Sequence, residues 1–126
     1  MKTLALVLAA CVSSAIIAVS DVAAQDKGVL TVTAKVFPKP GKESEVEALL
    51  LKMAQAAKTH EPEMIIYRPH RSMKGPTTVF LWYEQYRSDA AFEFHRTAPH
   101  LVDYRKQLGP LVEKPAEIEF YRSLAE

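Results

Sequence analysis

The sequence predicts an α+β domain of the ferredoxin-like class, in which four antiparallel strands form one sheet and the helices cover one of its faces. Three observations lead to this prediction. The spacing of apolar residues changes along the chain from the period of a strand to that of a helix and back. Two strand-like segments are joined by the turn Lys74–Pro76, and a last alternating segment closes the chain. The resulting order, β-α-β-β-α-β, is the ferredoxin-like pattern.

The first strand and the first helix occupy the start of this domain. Apolar and polar residues alternate along Leu30–Val36, as they do in a half-buried strand, and the prolines and glycine of residues 38–41 end it. Residues 42–58 then carry apolar residues at helical spacing, which predicts an amphipathic helix. Ser44 and Glu47 have the spacing of a capping box at its start.

A hairpin and an interrupted second helix follow. Residues 64–70 and 77–86 are rich in strand-forming residues and predict the second and third strands. Ser88 is the predicted N-cap of the second helix, which Pro99 is expected to divide into two pieces. The alternating residues 117–121 predict the fourth strand.

The first 24 residues predict a secretory signal peptide. Lys2 provides a positive charge, Leu4–Val19 is almost wholly apolar, and Val22–Ala24 offers small residues for cleavage. The apolar run is shorter than the ~20 residues of a membrane-spanning helix. We therefore expect cleavage, a periplasmic or secreted mature domain of residues 25–126, and no membrane attachment afterwards. The alternative is a lipoprotein box at Leu8–Cys11, but the apolar run continues beyond that cysteine, where a mature lipoprotein should become polar.

The composition argues against several classes of function. The net charge is +1, and no run of Lys and Arg suggests a nucleic-acid or polybasic membrane site. The glycines are scattered rather than gathered in a phosphate-binding loop, and there is no Cys–His cluster for zinc. Without disulfides the mature domain must depend on its core, and dimerisation would bury the sheet face that the helices leave open. We therefore expect a homodimer.

His95 and His100 are the candidate bases. On a continuous helix they would not share a face, but a break at Pro99 could turn His100 towards the same pocket. A neutral imidazole is the natural general base near neutral pH. The alternative is that each histidine only packs or caps at the helix junction. A metal site formed by the two with Glu84 has no diagnostic spacing.

Two strands carry further candidates. Trp82, Glu84 and Tyr86 share one face of the third strand. A carboxylate among aromatic rings is costly unless it is paired, so Glu84 is expected to meet an Arg or a His, and Glu84 and Tyr86 are interpreted as structural support. Tyr67 and Arg71 share a face of the second strand and are candidate pocket residues.

The most distinctive stretch of the chain is residues 83–100, which contains Tyr-Glu-Gln-Tyr-Arg-Ser-Asp-Ala-Ala-Phe and, from His95, His-Arg-Thr-Ala-Pro-His. Together with Leu30–Lys35, Lys39–Lys42, and Glu61-Pro62 followed by Tyr67, it resembles the antibiotic biosynthesis monooxygenase (ABM) domain. More narrowly, it is similar to the quinol monooxygenase branch of that family. The resemblance covers nearly all of residues 29–122.

This resemblance implies a homodimer with a pocket between each sheet and its helices, and an oxygenase that uses neither metal nor flavin. A base would remove a proton from a quinol-like or other small aromatic substrate, and the electron-rich anion would pass an electron to dioxygen. The implied site has a base, groups that orient the substrate, and aromatic walls. The base would be His100 or His95, and the orienting groups would be Tyr67, Tyr104 or Arg71. Tyr83 and Trp82 would form the aromatic walls.

Other activities occur on similar folds, because a fold alone does not determine a function. Haem-degrading relatives carry an Asn, a Trp and a His around the haem, where this chain has Thr33, His95 and Arg105, which argues against haem degradation. Another relative isomerises a phosphorylated sugar derivative and shares the His and Pro-His pattern. An isomerase of a small hydroxy-ketone metabolite is therefore an alternative, although a phosphorylated cytoplasmic metabolite fits poorly with export. A domain that only binds a small ligand is the third hypothesis.

Overall fold

The computed structural model describes residues 27–125 and has the predicted ferredoxin-like fold. The predicted order of elements is confirmed. The elements are β1 (Leu30–Val36), α1 (Glu43–His60), β2 (Met64–Arg71), β3 (Phe80–Tyr86), α2 (Asp89–Thr97), α3 (Pro99–Leu108) and β4 (Glu117–Arg122). A 3₁₀ turn, Gly109–Leu111, follows α3. The predicted signal peptide, residues 1–24, lies outside the described residues, and among those described no helix has the length and hydropathy to cross a membrane.

The four strands form one antiparallel sheet in the order β2-β3-β1-β4. In the middle of the sheet, Ala34 of β1 lies between Trp82 of β3 and Ile118 of β4. The predicted alternation of β1 is confirmed, because every second residue from Leu30 to Val36 is buried. These side chains lie on the sheet face that carries the core, together with the buried residues of α1 and α3.

The turn before α1 explains where this helix begins. The N–H of Lys42 donates to the carbonyl of Lys39 at 2.9 Å, and Gly41 has a φ of 80°, which favours glycine. The predicted capping box is wrong. Lys42 is the N-cap and its side chain makes no capping hydrogen bond, whereas Glu47 forms an ion pair with Arg71 of β2.

The predicted division of the second helix is confirmed. The Ser88 hydroxyl accepts a hydrogen bond from the N–H of Ala91 at 3.2 Å and so caps α2. Ala98 is extended, with φ −64° and ψ 139°, because a residue before proline avoids the helical region. Pro99 then begins α3. The chain therefore changes direction between His95 and His100.

The hairpin between β2 and β3 is wider than the sequence suggested. β3 begins at Phe80 rather than at Thr77, and the connection is closed by a hydrogen bond from the N–H of Ser72 to the carbonyl of Val79 at 2.8 Å. The other face of the sheet carries the alternate residues, including Thr33 and Tyr83, which are only half-buried.

Candidate active site

A cavity of about 390 Å³ lies between the core face of the sheet and helices α2 and α3. This volume is within the range of about 300–1,000 Å³ that is usual for small-molecule sites. Most of its wall is apolar, with Val32 and Ile118 from the sheet and Leu101 and Leu108 from α3. The residues that bring polar atoms to this wall are Tyr67, Trp82, Glu84, His95, Tyr104 and Arg105.

A buried cluster of one carboxylate and two imidazoles lies at this site. His95 Nδ1 is 3.0 Å from both carboxylate oxygens of Glu61, and His100 Nε2 contacts Glu61 Oε1 from the other helix. Only 2% of the Glu61 side chain is exposed, compared with 4% for His95 and 16% for His100. The break at Ala98 brings the two histidines to one carboxylate, whereas the sequence had suggested only that they would face the same pocket. His95 lines the large cavity, whereas His100 lines a smaller one of about 130 Å³ beside α1.

The contacts of Glu61 determine which nitrogen of His95 is free. Burial raises the pKa of Glu61, but the hydrogen bonds and charges of His95 and His100 outweigh it, and the net effect lowers the pKa. Glu61 is therefore an ionised acceptor at neutral pH, and the ring nitrogens that contact it carry hydrogen. In neutral His95 the proton is on Nδ1, so Nε2 has a free lone pair. That is the tautomer a general base requires.

Aromatic side chains form the wall next to His95. The rings of Tyr67 and Trp82 stack with centroids 4.1 Å apart, and Tyr67 lies 5.0 Å from the His95 ring. Trp82 Nε1 donates to the Tyr104 hydroxyl oxygen at 3.0 Å. Since the Tyr104 oxygen accepts this bond, its own hydrogen is available to a ligand.

The tyrosines at the cavity are donors rather than bases. Burial raises the pKa of Tyr104 to about 12 and that of Tyr67 above its usual range as well. Both hydroxyls are protonated at neutral pH and can donate to an oxygen anion on a bound molecule. Compared with the two tyrosines, His95 is therefore the group suited to accept a proton.

Glu84 has a different environment from the one the sequence suggested. Among residues 27–125 no Arg or His forms a hydrogen bond or ion pair with it; instead, the Tyr86 hydroxyl donates to Glu84 Oε2 at 2.6 Å. Burial raises the pKa of Glu84, and this hydrogen bond counters the shift only in part. Tyr86 is fully buried, and its ring lies 5.3 Å from that of His95. The pair therefore supports the floor of the cavity.

Two of the predicted substrate-binding residues do not reach this cavity. Arg71 extends towards α1, where it pairs with Glu47 and lies over the ring of Phe80. Tyr83 points to the other face of the sheet, because it alternates with Trp82 and Glu84, and its hydroxyl accepts a hydrogen bond from Gln85. The prediction for Arg71 relied on strand parity alone, which does not show how far a residue lies from a pocket.

Glu61 and Arg105 were not predicted as site residues. Glu61 follows the last residue of α1, and its histidine partners are 34 and 39 residues away in the chain. Its only signal in the sequence was a Glu-Pro pair within the ABM resemblance. Arg105 lines the cavity from α3. In the sequence it had been singled out only because it stands where haem-degrading relatives carry a histidine.

The cluster also has a donor set that a metal ion could use. One ligand atom from each of Glu61, His95 and His100 lies within 4.8 Å of the others, and two imidazoles with one carboxylate suit a divalent transition metal. In the hydrogen-bonded arrangement the same atoms contact each other directly. A metal would therefore have to displace both protons that Glu61 now accepts.

Comparison with known proteins finds relatives of the same fold that are named as candidate monooxygenases. Rv0793 from Mycobacterium tuberculosis, named as a candidate monooxygenase, is 32% identical over 97 residues, which are 77% of this chain and 93% of Rv0793. Its solved structure superposes with a TM-score of 0.70 at 31% identity, covering 78% of this chain and 97% of that one. A candidate antibiotic biosynthesis monooxygenase from Caulobacter crescentus has a TM-score of 0.73 at 26% identity, covering 78% and 92%.

The match to the family extends over most of the domain. The antibiotic biosynthesis monooxygenase family matches residues 29–107, a range that runs from β1 into the last turn of α3 and includes every residue of the Glu61 cluster. The names of its relatives support a monooxygenase-like role in general terms. The chain therefore belongs to the antibiotic biosynthesis monooxygenase (ABM) family.

Proposed function

We propose that this protein is an oxygenase that needs no cofactor and oxidises a quinol-like or other small aromatic substrate with dioxygen. The observation that carries the proposal is His95, which lines the apolar cavity while Glu61 holds its Nδ1–H. Nε2 is then the group that removes a proton from the substrate. Tyr67 and Tyr104 donate hydrogen bonds to the oxygen anion that forms.

The chemistry balances without an external reductant. Loss of a proton to His95 makes the substrate electron-rich, and one electron passes to dioxygen. Recombination of the two radicals forms a carbon–oxygen bond, and the proton on His95 can return to the resulting peroxide. The O–O bond then breaks as the ring carbon that bears the peroxide loses its hydrogen. One oxygen atom stays as a carbonyl and the other leaves as water, so that a hydroquinone becomes a hydroxyquinone. An apolar cavity suits this reaction because it excludes water from the anion.

Oxygen uptake tests the proposal. Purified protein, treated with a chelator and free of flavin, should consume oxygen with at least one member of a panel of quinols. His95→Asn should lower kcat by about 100-fold or more, which is the usual contribution of a general base. The matched control is His70→Asn, which changes an exposed histidine of β2 outside the cavity and should leave kcat unchanged.

The alternatives give different results in the same assay. An isomerase would turn over its substrate without oxygen. A binding domain would be stabilised against heat by quinols and show no turnover with or without the His95 substitution. Undiminished oxygen uptake by His95→Asn would reject the assignment of the base.

We also propose that two copies pair through the sheet face that the helices leave open. This face carries Thr33, Tyr83 and Gln85, with Gln85 Nε2 donating to the Tyr83 hydroxyl oxygen at 3.1 Å, and no described element covers it. Light scattering should report twice the mass of one chain. Tyr83→Arg should give monomers, whereas Leu51→Arg on the exposed side of α1 should not. A monomeric wild-type protein would reject the pairing.

Export is a further part of the proposal, and it depends on residues 1–24. Intact mass of protein from the native host should show a mature chain that begins at Gln25. A chain that begins at Cys11 with attached lipid would instead identify a lipoprotein. A chain that retains Met1 in the cytoplasm would contradict export.

A further inference from the structure

Arg105 is the only arginine or lysine among the described residues that line the large cavity. It follows the buried Tyr104 on α3, and its own side chain is exposed. The guanidinium therefore lies where the apolar wall meets solvent. The other charged groups of the same wall, Glu84 and His95, are buried.

Arg105 forms no ion pair within residues 27–125, in contrast to most arginines of this domain. Arg71, Arg87, Arg96 and Arg122 each form an ion pair with a Glu or Asp. Arg105 makes one long hydrogen bond, from Nη1 to the carbonyl oxygen of Arg96 at 3.4 Å. Most of its five N–H donors are therefore free for a ligand.

The electrostatics of the wall show that this charge reaches the cavity. Burial is the main cause of the raised pKa of Tyr67, Glu84 and Tyr104, and the positive charge of Arg105 opposes the rise in all three. An anion placed between Arg105 and the two tyrosines would be close to a guanidinium and to hydroxyl donors. A planar guanidinium binds a carboxylate through two parallel hydrogen bonds.

We propose that the substrate carries a carboxylate, which binds Arg105 at the mouth of the cavity while the oxidisable ring enters the apolar interior towards His95. This inference rests on the proposed function and names its substrate class: an aromatic acid rather than a neutral quinol. Apolar walls with one cation at the rim select such a molecule, because the ring loses water and the anion gains a fixed partner.

Anaerobic binding of two probes tests the inference apart from any turnover. 1-Hydroxy-2-naphthoate and 1-naphthol share a ring and a hydroxyl group and differ by the carboxylate. Wild-type protein should bind the acid about 10-fold more tightly in calorimetry, a difference of about 1.4 kcal/mol. The preference should diminish as the salt concentration rises, because the contact lies at the rim.

Arg105→Gln and Arg105→Met should abolish the preference while changing the affinity for 1-naphthol by less than about 2-fold. The matched control is Lys106→Gln, which removes the same charge from the next residue of α3, outside the cavity wall, and should keep the preference. Because Arg105 is exposed, both variants should fold, which thermal unfolding checks.

A preference that survives in both Arg105 variants, a preference that is absent in the wild type, or failure of both probes to bind would overturn the inference. Its failure is distinguishable from failure of the oxygenase proposal. Oxygen uptake with neutral quinols and no preference for acids would reject only the role of Arg105. Tight binding of acids without oxygen uptake would reject only the oxygenase.

Discussion

Two buried glutamates of the same core differ in their partners. Glu61 lies between two imidazoles, and their hydrogen bonds and charges lower its pKa despite its burial. Glu84 accepts a hydrogen bond from the Tyr86 hydroxyl, and burial leaves its pKa raised. A phenol offers one neutral hydrogen bond, whereas an imidazole can also offer a charge, so the two imidazoles outweigh the burial of Glu61 while the single phenol does not outweigh that of Glu84. Glu61 therefore orients the proposed base, His95, whereas Glu84 supports the wall of the cavity.

The largest expected effect comes from replacing Glu61 with glutamine, and the same replacement of Glu84 is the comparison. Glu61→Gln leaves two buried N–H groups facing a neutral amide, so it should destabilise the fold by about 3 kcal/mol. It should also lower kcat by about 100-fold, because the tautomer of His95 is no longer fixed. Glu84→Gln still accepts the Tyr86 hydrogen bond and should cost less than about 1 kcal/mol. Denaturant unfolding of both variants measures the contrast, and equal losses would contradict it.

The pH dependence of stability should separate the two residues further. The pKa of Glu61 is lower in the folded than in the unfolded state. Its contribution is therefore complete above the ordinary value of 4.5 and is lost as the pH falls through the lower folded value. The pKa of Glu84 is raised, so its contribution declines as the pH rises from 4.5 through the folded value.

Thermal unfolding from acid to neutral pH checks these opposite signs. Glu61→Gln should reduce the loss of Tm at acid pH. Glu84→Gln should remove the decline in Tm as the pH rises above 4.5. If both variants changed Tm over the same pH range, the pKa values of the two carboxylates would not be shifted in opposite directions.

The smallest effect should come from the partner of Glu84. Tyr86→Phe removes the hydroxyl that donates at 2.6 Å, which should raise the pKa of Glu84 further and cost about 1 kcal/mol. Carbon-13 NMR of the Glu84 carboxyl group measures the pKa. Tyr121→Phe is the control, since that hydroxyl donates to Glu119 on the exposed strand β4. An unchanged pKa of Glu84 in Tyr86→Phe would show that the Tyr86 hydrogen bond does not lower that pKa.

Much of the site could be predicted because local patterns place its elements. Parity put Trp82 on the core face of β3, and helical spacing put Tyr104 on the buried face of α3. The proline rule predicted the break that brings His95 and His100 to one carboxylate. Glu61 could not be found in this way, because no periodic pattern indicates that the residue after a helix will turn inwards towards histidines of another helix.

The sequence by itself determined the order of strands and helices, the division of the second helix and the membership of the family, because local spacing and short motifs encode these features. Only the tertiary structure decided that Glu61, not Glu84, meets the histidines, that Arg71 pairs with α1 away from the cavity, and that Arg105 lines it. The physical reason is that the partner of a buried polar group is chosen by packing between distant segments, which determines where each charge can be satisfied.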